Sequence, residues 1–182
     1  MSIWGKLLAG TFGFALGGPI GALLGVIAGH SVDKIRSQSS AYQENLQSPQ
    51  EIITVGIIIL SAKLAKADGQ VTTDEVKAFR DKFKIPTDFQ SDVGKIFNEA
   101  KKSAEDYHQY AQQLGMLFRG QPQVLEQIIN LLFFIAEADG EISKPEINYI
   151  ENCAKYFGLN RLQYESIQSI WLDKQSNPYK IL

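Results

Sequence analysis

Two twenty-residue stretches of this chain match each other at an offset of 71 residues. Leu60–Phe79 reads LSAKLAKADGQVTTDEVKAF, and Leu131–Ile150 reads LLFFIAEADGEISKPEINYI. Ala65, Ala67, Asp68, Gly69 and Glu75 recur as Ala136, Ala138, Asp139, Gly140 and Glu146, while Val71, Val76 and Phe79 recur as Ile142, Ile147 and Ile150. A duplication of this kind demands two copies of one supersecondary unit, each burying the same apolar face. The unit reads as helix, Ala-Asp-Gly loop, helix. Its first helix spans about residues 50–67, with a counterpart over about 122–138. Glycine after aspartate supplies the left-handed conformation at which a helix stops.

The next helix opens on a capping box in each copy, Thr72-x-x-Glu75 and Ser143-x-x-Glu146. There a hydroxyl accepts from an early amide and the glutamate returns to the cap residue's own amide. Apolar residues follow at helical spacing: Val76, Phe79 and Phe83 in one copy, Ile147, Ile150, Ala154 and Phe157 in the other. A third helix is predicted in each copy from Thr87-x-x-Gln90 and Asn160-x-x-Gln163, with Gly158 stopping the helix before the latter. A connecting helix opens at Ser103-x-x-Asp106 and closes near Gly120. No segment reads as a strand. The expected fold is all-α, a seven-helix bundle built from a duplicated three-helix unit.

A different segment precedes the repeats. From Leu7 to Gly29 no side chain is charged. As one helix this run would rise about 34 Å, enough to cross a hydrocarbon core of roughly 30 Å. Gly13, Gly17, Gly21, Gly25 and Gly29 recur every four residues and would form a side-chain-free ridge for packing a second helix, so a homodimer through the membrane helix is expected. Pro19 is predicted to kink the helix. A cleavable signal sequence, a flexible glycine-rich loop and an interfacial hairpin broken at Gly17-Gly18-Pro19 are the competing readings. The domain plan is a transmembrane anchor over 1–36, a polar linker over 37–49, the helical domain over 50–174, and a short tail over 175–182. Residues from about 50 to 175 are expected to fold without the anchor.

Composition narrows the function. Beyond Arg36 the chain carries 15 Lys and Arg against 19 Asp and Glu, a balance that offers nucleic acid no basic footprint. One cysteine, Cys153, leaves no intrachain disulfide. No nucleophile elbow or phosphate-binding loop is present, and His30 and His108 fall in no metal-ligand pattern, so an enzyme is not indicated. The Asp-Gly-x-Val/Ile-x-x-x-Glu phrase also matches the second half of a calcium loop. The first half is missing, and the structural reading, helix stop plus helix cap, is the stronger one. If a divalent cation binds weakly, it binds the second loop, where Glu137, Asp139, Glu141 and Glu146 cluster; Asp68 and Glu75 in the first loop are the poorer set.

The duplicated Ala-Asp-Gly…Glu pattern in a seven-helix domain resembles the TerB family, named for tellurite resistance proteins. The opening Ile3-Trp4-Gly5-Lys6, the glycine-striped span, Gly29-His30 and Asp33-Lys34 resemble the N-terminus of the DjlA family of membrane-anchored, DnaJ-like co-chaperones. Asn177-Pro178-Tyr179-Lys180-Ile181-Leu182 looks like the opening of a J-domain. That resemblance implies a single-pass protein of the bacterial inner membrane with a cytoplasmic soluble domain and an Hsp70 partner, DnaK. A J-domain stimulates that partner through a His-Pro-Asp tripeptide, and these 182 residues contain none. Either the J-domain lies beyond Leu182 or it has been lost. The alternative function is a metal-binding or metal-responsive domain of the tellurite-resistance type.

Overall fold

The structure, a computed structural model, describes residues 17–29, 49–67, 73–85 and 87–176. These form eight α-helices and one short 3-10 turn, with no strand among the described residues. In chain order they are α1 (Gly18–Gly29), α2 (Pro49–Ala67), α3 (Thr73–Phe83), α4 (Thr87–Ala100), α5 (Tyr107–Leu117), α6 (Pro122–Ala136), α7 (Lys144–Phe157) and α8 (Arg161–Ser176), the 3-10 turn Glu137–Asp139 following α6. Seven helices thus follow the first, as the repeat requires.

Helix α2 is the axis of the bundle. Every residue from Val55 to Ala65 is buried, because α2 packs on α4, α5, α6 and α7 at once. A helix apolar all round has to be enclosed in this way. Its partner in the repeat, α6, is amphipathic and buries Leu125, Ile128, Ile129, Leu132, Phe133, Ile135 and Ala136 against α2, α7 and α8. The duplication is respected in burial: Ala65 and Ala136 are both enclosed, as are Phe79 and Ile150. Two contacts set how closely helices cross. A Cβ on Gly56 would stand 2.7 Å from the Leu114 side chain, and one on Gly115 would stand 2.5 Å from the Tyr156 carbonyl oxygen.

The local signals of the second copy are realised. Ser143 Oγ accepts from the Glu146 amide (3.4 Å) and Glu146 Oε2 accepts from the Ser143 amide (2.8 Å). Asn160 and Gln163 exchange the same pair of bonds at 3.0 and 2.9 Å. Gly158 closes α7 at φ +77°, and Gly140 follows the 3-10 turn at φ +100°. Helix α6 stops two residues earlier than its spacing predicts, its end tightening into the Glu137–Asp139 turn. The first copy's loop, with Asp68, Gly69 and Thr72, lies outside the described residues.

Three expectations are corrected. The connecting helix begins at Tyr107, and Asp106 makes no side-chain cap bond, because its carboxylate is drawn instead to Lys63. The apolar run does not continue as a helix through Gly17: Gly17 and Gly18 have φ of +58° and +61°, and α1 begins at Gly18. Pro19 therefore stands in the first turn, where its missing amide would have no partner anyway, and does not kink a helix. Helix α1, 12 residues long, rises about 18 Å. No helix among the described residues is long and apolar enough to cross a membrane; Leu7–Leu16 and Gly13 lie outside them.

Candidate functional site

Three constellations of polar and aromatic side chains stand out in the bundle. The first is the second Ala-Asp-Gly loop. Glu146 is 3% exposed and its carboxylate holds the Ser143 amide, so the residue that would close a calcium loop is engaged as a helix cap. Glu137 is half-buried at the end of α6 and Glu141 is exposed beyond the 3-10 turn. Among the described residues no three His, Cys, Asp or Glu side chains come together. The side chains of Asp139 and Glu75, like residue Asp68, lie outside the description.

The second is a buried cation. Lys63, 1% exposed near the C-terminal end of α2, donates to the Ala100 carbonyl at 3.0 Å, to the Ser103 carbonyl at 2.9 Å and to Asp106 Oδ1 at 2.5 Å. Its ammonium also lies 4.8 Å from the centre of the Tyr110 ring. One side chain thereby satisfies the open end of α4 and ties the α4–α5 connection to the core. Burial, then the Asp106 and Glu99 carboxylates, push the Tyr110 phenol up to about 12. Lys63 is the repeat counterpart of Phe134, so a lysine at a core position of a duplicated helix was the signal available in the sequence.

The third is a groove of about 320 Å³ lined by Lys82, Gln127, Asn130, Leu131, Phe134 and Trp171. Lys82 Nζ lies 4.8 Å from the centre of the Phe134 ring, and Trp171 Nε1 donates to Asn130 Oδ1 at 3.2 Å. A cation over an aromatic floor suits an interaction surface. Cys153, the lone thiol, is wholly enclosed, and burial raises its pKa. A buried, protonated thiol is a small apolar side chain rather than a reagent. His108 is half-buried beside Tyr107 and Tyr156, with Nδ1 3.0 Å from the Glu105 carbonyl, a packing role.

The glycine series is divided by the fold. Gly21 is buried on α1 and Gly25 is half-buried, while Gly17 precedes the helix and Gly29 ends it. Helix α1 packs on α4 and α5, with Ile20, Leu23 and Leu24 buried in the common core. Gln113 of α5 grips its start: Nε2 donates to the Gly17 carbonyl (3.1 Å) and Oε1 accepts from the Ile20 amide (2.9 Å). Nothing in the sequence singles out Gln113, because its role depends on a segment some ninety residues away.

Two family models match the chain, one at each end. The family model described as tellurite resistance protein TerB matches residues 54–169, and that described as the co-chaperone DjlA transmembrane domain matches residues 1–45. The co-chaperone protein DjlA of Legionella pneumophila is 24% identical over 97% of this chain and 64% of its own length. That of Photobacterium profundum is 28% identical over 90% and 63%, and that of Escherichia coli K12 is 22% identical over 91% and 62%. The chain spans a little under two thirds of these relatives. No solved structure matches.

Proposed function

Because this chain belongs to the TerB family and its first 45 residues match the DjlA transmembrane domain, we propose that it is the anchor and interaction module of a membrane-bound, DnaJ-type co-chaperone. The observation that carries this reading is the order of the two matches in one chain: membrane segment first, duplicated bundle second. A non-enzymatic role is supported by the relatives, which are named co-chaperones. The bundle carries the interaction surface. The anchor places it at the cytoplasmic face of a bacterial inner membrane and, when inserted, presents its glycine series to a second copy. On this reading, stimulation of an Hsp70 partner, DnaK, is the task of a J-domain and not of these 182 residues.

Fractionating cells that express residues 1–182, with and without a relative's J-domain fused at the C-terminus, tests this. The full chain should be retained by membranes after an alkaline wash, and a chain starting at Ser48 should not. Only the fusion with an intact His-Pro-Asp loop should stimulate the ATPase of purified DnaK. Complete release of the full chain by the wash, or stimulation by the 182 residues alone, would overturn the reading.

A further inference from the structure

The described half of the apolar N-terminal run lays one face on the bundle: Ile20 is 0% exposed, Leu23 6% and Leu24 8%, while Ala22 and Val26 on the other face are exposed. The contact is built to receive a helix start. Ile20 is the third residue of α1, and its amide has no partner within the helix. Gln113, itself 8% exposed, satisfies that amide and the Gly17 carbonyl with the two ends of one side chain. The grip also selects glycine. A Cβ on Gly18 would stand 2.9–3.0 Å from the Gln113 amide, and Gly17 and Gly18 both occupy the left-handed region that side chains disfavour.

A helix spanning a bilayer from Leu7 to Gly29 would need Gly17 and Gly18 in right-handed helical conformation and Ile20, Leu23 and Leu24 facing lipid or a second helix. Neither condition is compatible with the docked arrangement. We propose that the surface between α4 and α5, with Gln113 as its clasp, is a docking site for this chain's own Gly17–Ile27 segment, in competition with the bilayer. The same apolar turns serve as half of the anchor in one state and as part of the domain's core in the other, so Gln113 controls how much of the chain is withdrawn from the membrane. This rests on the anchor reading above.

The test uses the full 182-residue chain, with hydrogen exchange of amides 20–27 measured without lipid, and flotation with vesicles of phosphatidylethanolamine and phosphatidylglycerol. In the parent chain these amides should be protected. Gln113→Leu should speed their exchange about tenfold or more and raise the vesicle-bound fraction. Gln112→Leu, which adds the same apolar surface at an exposed position of α5, should do neither. Gly18→Ala, which leaves the bundle's own residues unchanged, should reproduce Gln113→Leu and covers the case in which that variant fails to fold. Unprotected amides in the parent chain would overturn the docking, whatever the vesicles show. Protected amides opened by both variants, with unchanged vesicle binding, would overturn the competition and leave the anchor standing. Protected amides with no vesicle binding by any variant would overturn the anchor reading, and the competition with it, while the docked contact stood.

Discussion

Lys63 and Phe134 occupy the same place in the two repeats, and the difference between them shows how much one side chain decides. The lysine closes the end of α4 and holds the loop to Asp106; the phenylalanine forms the floor of the groove under Lys82. Lys63→Met would leave two carbonyls and a carboxylate without their donor. Asp106 is a third exposed and water can reach it, so the expected loss is about 3 kcal/mol, at the low end for a broken buried pair, read from urea unfolding. Glu146 allows a cleaner separation of roles. As a cap, Glu146→Ala should cost about 0.5–2 kcal/mol, while Glu146→Gln keeps an oxygen for the Ser143 amide and should cost less. Calcium added to millimolar level should leave the melting temperature unchanged; a rise abolished by Glu146→Gln would assign the loop to a metal instead. Tyr110 gives a pH signature. Its phenol is raised to about 12 by burial first, then by Asp106 and Glu99, so the folded state holds the proton more tightly than the unfolded chain. Its contribution is therefore complete below the ordinary tyrosine range near 10 and is lost as pH rises toward 12. Thermal melts of Tyr110→Phe should decline less steeply than the parent over that window, the ring under Lys63 being retained.

At the scale of elements, glycines separate helices that touch from helices that do not. Gly94 lies within α4 with nothing within 4 Å of a built Cβ, so it contributes only backbone freedom. Gly94→Ala should stabilise by about 0.5–1 kcal/mol through helix propensity. Gly115 lies where α5 crosses α7, with the Tyr156 carbonyl and the Phe157 Cα in the way of any Cβ. Backbone cannot move aside as a flexible side chain can, so Gly115→Ala should destabilise by about 1–3 kcal/mol despite the same gain in propensity. Opposite signs in paired denaturant titrations would establish that crossing; equal signs would count against it. The sequence shows both glycines within helical patterns and gives no means of telling them apart. Helix ends behave differently. The reciprocal bonds of Ser143 with Glu146 and of Asn160 with Gln163 join residues three apart, so their chemistry is legible from spacing alone.

At the scale of the molecule, the boundary between anchor and domain is less sharp than the hydropathy suggests. Ile20, Leu23 and Leu24 share a core with α4 and α5, so a chain starting at Ser48 has a complete bundle but an uncovered face. Fully burying such side chains contributes about 1.5–3 kcal/mol each, and ordering the segment offsets much of that. The shortened chain should therefore fold cooperatively yet unfold at lower urea than the full chain, by about 2 kcal/mol. Equal midpoints would mean that α1 contributes nothing to the domain in solution.

Periodicity, caps and the repeat are local or self-referential, and the sequence by itself determined what depends on them: an all-helical chain, seven helices beyond the first, and the helix stops at Gly140 and Gly158. The tertiary structure alone decided which polar side chains the core would recruit. Lys63 reaches residues 37 to 43 positions away, and Gln113 meets Gly17 and Ile20 across 96 and 93. At such separations no spacing rule operates; a hydrogen bond forms because packing has already brought a buried donor to an acceptor that would otherwise lack one. The same cause redirected Asp106 from cap to counter-ion, and it drew Ile20, Leu23 and Leu24, from a run of apolar residues that reads as membrane helix, into the protein's own core.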